Sequence, residues 1–209
     1  MTLKITIIDY EMGNLKSIYK CLRHLGIEAM ITDNPDVSLD SDGVILPGVG
    51  AFGDAMKHLK EKNLIQIIRQ LVNNDKPLFG ICLGQQLIFS RSYEMGEYKG
   101  LDLIEGEVIP FDTSKVDKVP QIGWNSVKIL KDDHFLLQGI PNNSYFYFVH
   151  SFYSVPKDKD TILGLTKYGD ISFCSIVTLK NIMATQFHPE KSSKYGIKIY
   201  QNFIDFCKH

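Results

Sequence analysis

Lys4 to Ile8 is an apolar, β-branched run that ends at Asp9, the pattern of a strand buried on both faces. After Gly13 and Asn14, the apolar residues Leu15, Ile18, Tyr19, Leu22 and Leu25 recur at helical spacing, and Gly26 supplies a C-terminal stop. Ile27–Ile31 and Gly43–Leu46 read as further strands, the latter running into Pro47-Gly48-Val49-Gly50. Gly53 to Val72 is helical again, with a break near Asn63. Pro77–Ile81 is a fourth apolar run, and helical spacing resumes from Leu83 to about Arg91. Strands alternating with helices predict an α/β fold around a mostly parallel central sheet flanked by helices.

The second half changes period. Short β-type runs at Leu103–Ile109, Ser126–Leu130, Tyr145–Val149, Ile162–Thr166, Ile171–Val177 and Ile182–Gln186 are separated by turn formers. Ser192 to Lys208 closes the chain as a helix with Tyr195, Ile199, Phe203 and Phe206 as its apolar stripe. Asp112–Lys118 is polar enough for a mobile loop. With no repeat and no dividing linker, residues 1–209 are expected to form one domain.

Composition narrows the function classes. The 23 Lys+Arg and 24 Asp+Glu leave a formal charge of −1, without the basic surface that sequence-independent nucleic-acid binding needs. No apolar run is long enough to span a membrane. Asp9 and Glu11 interrupt the apolar opening, so neither export nor membrane insertion is expected, and the cytoplasm is the expected compartment. Cys21, Cys82, Cys174 and Cys207 lie far apart without metal-ligand spacing, which predicts reduced thiols and no metal or other cofactor.

Cys82 stands apart from the other three. An apolar run leads into it, a helical pattern leaves it, and Gly80 and Gly84 bracket it. This is the glycine-flanked strand–turn–helix elbow of a nucleophile, with sulfur as the attacking atom. A following helix N-terminus would favour its thiolate. Met183 to Ser192 is a strand pattern running into His188-Pro189-Glu190 and a helix. Pro189 restricts His188 to an extended conformation, and Glu190 is near enough in sequence to fix the imidazole tautomer. Nucleophile, base and orienting carboxylate together make an acyl-transfer triad. The remaining histidines, His24, His58, His134, His150 and His209, have no such context and read as surface or structural.

Gly80-Ile81-Cys82-Leu83-Gly84-x-Gln86 with Gln186-Phe187-His188-Pro189-Glu190 resembles the triad-type (class I) glutamine amidotransferases. Ile8-Asp9-Tyr10, Gly13-Asn14-Leu15, Leu46–Phe52, Gly123-Trp124-Asn125 and Tyr147–Ser151 are similar to segments of one branch, the glutaminase subunits of imidazole glycerol phosphate synthase. The resemblance implies a single-domain amidotransferase fold that hydrolyses glutamine through a Cys82 thioester. It also implies a heterodimer with a barrel-type synthase (cyclase) subunit that receives the ammonia and forms imidazole glycerol phosphate and an aminoimidazole carboxamide ribotide in histidine biosynthesis. Further implied are oxyanion donors at Val49, Gly50 and Leu83, and glutamine contacts from Gly50, Gln86, Ser151 and Phe152. Asn14, Gln121, Ile122, Trp124 and Asn125 match segments that face the partner.

Glu11, Gln121, Ile122 and Phe152 depart from the residues usual in that branch. None touches the triad. Glu11, Gln121 and Ile122 lie in segments that face the partner in that family and leave a second reading open, an ammonia-supplying paralogue for aminosugar amidation in surface polysaccharide synthesis. A cysteine hydrolase of γ-glutamyl or peptide substrates shares the nucleophile and differs in its pocket. A non-catalytic binding module would have no use for an intact triad.

Overall fold

Parallel pairing brings the two distant motifs to one edge. The computed structural model describes residues 3–208, so His209 lies outside the described residues. The N-terminal half contains β1 (Ile5–Ile8), α1 (Leu15–His24), β2 (Met30–Thr32), α2 (Pro35–Leu39), β3 (Gly43–Leu46), α3 (Phe52–Glu61), α4 (Leu64–Asn73), β4 (Leu78–Ile81) and α5 (Leu83–Leu87). There follow β5 (Phe89–Ser92), β6 (Tyr98–Lys99), β7 (Ile104–Pro110), β8 (Gln121–Ile129), β9 (Ser144–His150) and β10 (Phe152–Pro156). β11 (Ile162–Tyr168), β12 (Ile171–Leu179), β13 (Ile182–Thr185) and α6 (Ser193–Phe206) complete the fold.

The sheet runs β2-β1-β3-β4-β13-β12-β10-β7-β5-β6, with β11, β8 and β9 branching from β12. The central pairs β2–β1, β1–β3, β3–β4 and β4–β13 are parallel. From β12 outward the pairing is antiparallel except for β5–β7. Alternate side chains of the central strands feed two cores. Ile5, Ile7, Ile45, Phe79 and Met183 pack with Ile18, Leu22, Ile199 and Phe203 of α1 and α6. Ile8, Val44, Leu46, Leu78 and Ala184 pack with Ala55, Leu59, Ile68 and Leu71 of α3 and α4. The central sheet is thus a layer between helices, the α/β architecture of the sequence reading.

Several elements differ from expectation. The helix after Cys82 ends at Leu87, because Phe89 and Ser92 turn inward on β5 and pair with β6 and β7 instead of continuing to Arg91. The helix dipole at Cys82 is correspondingly weaker than a three-turn helix would supply. β2 starts later than Ile27, and the five-residue α2, capped by Asn34 accepting from the Asp36 N–H at 2.9 Å, carries no periodic signal. β8 begins at Gln121, five residues before the expected strand, because Ile122 and Trp124 stand on its exposed face and invert the usual apolar-in alternation. β10 has no counterpart in the sequence reading, since its buried residues are Ser154 and Pro156. α6 buries Tyr200 and Ile204 beside Ile199 and Phe203, while Tyr195 and Phe206 are only half-buried. Asp112–Lys118 is tethered: Val116 is buried, Asp170 N–H donates to the Lys115 carbonyl at 2.8 Å, and Tyr168 Oη donates to that of Lys118 at 2.7 Å.

Candidate active site

Three neighbouring parallel strands end at the same edge of the sheet. β4 pairs with β13 from Leu78↔Ile182 to Ile81↔Thr185, and with β3 at Gly80↔Leu46. Residues just beyond these strands therefore meet, namely Cys82, the Gln186–Glu190 segment and Pro47–Gly50. The carboxyl edge of a parallel sheet is where open α/β folds place ligands.

Cys82 occupies a backbone conformation costly for a residue with a side chain, φ 55° and ψ −109°. Such strain costs about 1–3 kcal/mol and persists where the surroundings over-determine it. The Cys82 N–H donates to the Thr185 carbonyl at 2.8 Å, which fastens the elbow to β13. A Cβ on Gly80 would meet the Gly84 carbonyl oxygen at 2.9 Å, and one on Gly84 would penetrate the Leu46 carbonyl oxygen. The bracketing glycines are thus demanded by close backbone approach. Cys82 is 6 % exposed, and its thiol lies 3.8 Å from the Val149 carbonyl oxygen and 3.8 Å from Gln186 Nε2.

His188 has the extended backbone that Pro189 imposes, φ −95° and ψ 100°. Its N–H donates to the Tyr147 carbonyl at 3.0 Å, and its carbonyl accepts from Ser192 Oγ at 2.6 Å. Ser192 Oγ in turn accepts the Tyr147 N–H at 2.9 Å, so β9 holds the histidine backbone at both ends. Nδ1 lies 2.8 Å from Glu190 Oε1, and both side chains are buried. Tyr200 Oη approaches the second Glu190 oxygen at 3.5 Å. Burial alone would lower the His188 pKa, but interaction with Cys82 and Glu190 outweighs it and raises the pKa to about 10. Nε2 is buried without a hydrogen-bond partner among the described residues. The Cys82 sulfur and Nε2 line the same cavity without a formed hydrogen bond between them.

Val49, Gly50, Leu83, Gln86, Ser151 and Phe152 line one cavity of about 350 Å³ with Cys82 and His188. Gly50 has φ +95°, which permits a peptide orientation closed to most residues there. Gln86 Nε2 donates to the Phe152 carbonyl and to Gln186 Oε1, each at 3.0 Å, leaving its own carbonyl oxygen for a ligand. Glu94, not singled out from the sequence, also lines the cavity. It accepts the Phe52 N–H at 2.8 Å, and burial raises its pKa. It sits in a turn after a strand whose spacing reads as helix, so no pattern points to it.

The residues matched to a partner face divide. Ile122 and Trp124 are 58 % and 52 % exposed, and Tyr145 beside them is 60 % exposed. Asn125 spans to the Lys167 carbonyl at 2.9 Å, and Asn14 accepts from Ser17 Oγ at 3.0 Å at the start of α1. Gln121 points the other way and is buried against His150. The Glu11 departure has a local explanation, since its carboxylate pairs with Lys62 at 3.0 Å and His58 at 3.4 Å. Among the described residues, no group of three or more His, Cys, Asp or Glu side chains is placed to hold a metal ion.

His150 is a buried pocket-wall residue, not a surface one. Burial pushes its pKa down to about 4, against the opposing effect of its hydrogen bond to the Phe152 carbonyl. The folded chain therefore keeps it neutral where the unfolded chain, with a pKa near 6.5, takes up a proton. This stabilisation is present above about pH 6.5 and fades as pH falls towards 4. Between pH 7 and 5, urea unfolding should show wild type losing about 2 kcal/mol more stability than His150→Gln. Equal losses would contradict the neutral ring.

Residues 6–206 match the family model for glutamine amidotransferase class-I. The imidazole glycerol phosphate synthase subunit HisH of Methanocaldococcus jannaschii is 50% identical over 201 residues, covering 96% of this chain and 98% of its own. That of Chlorobaculum tepidum is 46% identical over 202 residues, covering 97% and 100%. Among solved structures, PurLQS from Thermotoga maritima superposes with a TM-score of 0.77 at 16% identity, covering 99% of both chains. The glutaminase domain of Trypanosoma brucei CTPS with bound acivicin gives 0.67 at 16%, covering 98% of this chain and 94% of that one. At these identities the structures speak for the fold alone.

Proposed function

The chain belongs to the glutamine amidotransferase class-I family, and on that premise we propose that it is the glutaminase subunit of an imidazole glycerol phosphate synthase in histidine biosynthesis. It hydrolyses glutamine to glutamate and ammonia. The observation that carries the chemistry is the strained Cys82 elbow facing the buried His188–Glu190 pair across one cavity. Near-full-length relatives named as HisH support the choice of pathway.

Glutamine enters the cavity with its ammonium towards Glu94, whose free oxygen offers the charge an amino acid needs. Gln86, Ser151 and the Phe152 backbone hold the rest of the substrate. Cys82 Sγ attacks the side-chain carboxamide carbon as its proton passes to His188. The oxyanion is held by the Leu83 N–H and by the peptide around Val49 and Gly50. Each such donor contributes about 3 kcal/mol to lowering the barrier. His188 passes its proton to the departing ammonia, leaving a glutamyl thioester on Cys82. It then removes a proton from the water that releases glutamate. Glu190 stabilises the imidazolium through both half-reactions.

Residues 1–209 act as one amidotransferase domain working in the cytoplasm. The ammonia passes to a (β/α)₈-barrel synthase subunit, which produces imidazole glycerol phosphate and the aminoimidazole carboxamide ribotide. The partner docks on the Ile122–Trp124 face, with Asn125 beside it in sequence, and Asn14 contributes from the start of α1.

Steady-state glutaminase assays with the co-purified synthase subunit test this reading. The histidine-pathway ribonucleotide should stimulate glutamine hydrolysis at least about tenfold. In the same assay Glu94→Gln should raise KM for glutamine about tenfold or more while changing kcat much less, as expected for a lost charge-assisted hydrogen bond in substrate binding. Absence of stimulation removes the pathway assignment, and an unchanged KM removes the ammonium role of Glu94.

A further inference from the structure

On the β8–β9 ladder Gln121 is registered opposite His150, and His150 Nε2 lies 3.0 Å from Gln121 Oε1. On the other side of the ring, Nδ1 donates to the Phe152 carbonyl at 2.7 Å. That carbonyl also accepts from Gln86 Nε2 at 3.0 Å, and Gln86 Nε2 donates to Gln186 Oε1 at 3.0 Å. Gln186 Nε2 finally reaches Cys82 Sγ at 3.8 Å. A continuous polar chain thus runs from β8 to the sulfur, and each side chain along it is at most 6 % exposed.

The chain has a direction. A backbone carbonyl only accepts, so it fixes the hydrogen of the neutral His150 ring on Nδ1. Nε2 must then receive a hydrogen, so the Gln121 carboxamide, whose two ends have nearly the same shape, is assigned the reverse orientation, with NH₂ in place of Oε1 towards the ring. The same carbonyl forces Gln86 to present NH₂, which obliges Gln186 to present its oxygen to Gln86. The end of Gln186 left over for Cys82 is the N–H end, the one suited to an electron-rich sulfur.

We propose that Gln121 and His150 are positioning residues for Cys82, holding the Phe152 carbonyl so that Gln186 offers an N–H to the sulfur. Removing the hydrogen from Nε2 leaves a buried ring nitrogen unpaired, and the ring relaxes away from Phe152. The Gln86–Gln186 pair then loses its fixed orientation. The turnover consequence rests on the glutaminase reading, whereas the reactivity of the sulfur does not.

The test uses the full chain as wild type, Gln121→Met and Gln121→His. Methionine keeps the length of glutamine without its hydrogen bond, and histidine restores a donor towards Nε2. Alkylation of Cys82 by iodoacetamide is followed by mass spectrometry between pH 6 and 9, together with glutamine kcat and KM and thermal unfolding. Gln121→Met should slow Cys82 alkylation and lower kcat/KM, each about tenfold, with its melting temperature lowered by about 2–10 °C and the chain still folded at the assay temperature, while Gln121→His should recover most of both. Unchanged alkylation in Gln121→Met overturns the proposal, as does an equal loss in Gln121→His. If wild type hydrolyses no glutamine while Gln121→Met still slows alkylation, the glutaminase reading falls and the positioning role stands. Should Gln121→Met fail to fold, His150→Gln, which gives up the donor to Phe152, must slow alkylation to the same degree, and wild-type alkylation in it overturns the proposal.

Discussion

Cys82→Ala should lower glutamine-dependent synthesis by the two-subunit enzyme at least about 10⁴-fold, and added ammonia should restore it to within about twofold of wild type. The two halves of this expectation test different things. No other described cysteine can substitute: burial raises the pKa of Cys21, Cys174 and Cys207 to about 11, 12 and 12, and none lines the cavity. In the proposed reaction, loss of the sulfur removes the covalent route while leaving the other cavity walls in place. Recovery with ammonia follows if this chain only supplies a nucleophile to chemistry performed elsewhere. Loss of the ammonia-dependent reaction as well would show that the substitution disrupts the assembly, and the division of labour would be wrong. Residual glutamine turnover near wild type would remove Cys82 from the reaction altogether.

Gly84→Ala should be nearly as damaging without touching any group that reacts. The added methyl would be driven into the Leu46 carbonyl oxygen and would stand 3.4 Å from the Pro47 carbonyl carbon. These are backbone atoms at the end of β3, held by the ladder to β4, so they cannot swing aside as a side chain would. Something larger has to move, either α5 or the Pro47–Gly50 segment. The expected cost is about 3 kcal/mol of stability, measured by urea unfolding. Separating the Leu83 N–H from the Val49–Gly50 peptide by a fraction of an ångström should also cut kcat about 100-fold. Wild-type stability with wild-type kcat would mean that the close approach of the two backbones is dispensable.

The parallel core is legible in the sequence because strands buried on both faces carry an unmistakable signal. Gly43–Leu46 and Leu78–Ile81 are uninterrupted apolar runs, and α3 and α4 break at Asn63, which adopts a left-handed φ of 57°. The Cys82–His188–Glu190 arrangement is legible for a different reason, since glycines around a cysteine and a proline after a histidine are local constraints. What escapes depends on tertiary pairing. Phe89–Ser92 has no intrinsic reason to leave a helix until β7 offers it a ladder. β10 turns a serine and a proline inward, and no alternation rule finds that. Glu94, Gln186 and the inward face of Gln121 acquire meaning only when segments far apart in sequence are brought together. His150 looks unremarkable in sequence because its partners lie on β8 and in the wall beyond β9.

The placement of β13 beside β4 also governs when the enzyme can exist during its own synthesis. β4 and Cys82 leave the ribosome long before the strand that completes their neighbourhood. Until Ile182–Thr185 emerges, one edge of β4 lacks its parallel neighbour, and neither His188 nor Glu190 is available to the thiol. A nascent chain at that stage carries a cysteine without its base and an unpaired apolar strand edge, which is both inert and prone to association. β13 therefore completes the edge of β4, and the residues that follow it bring His188 and Glu190 to the Cys82 elbow, only once the chain has been made as far as residue 190.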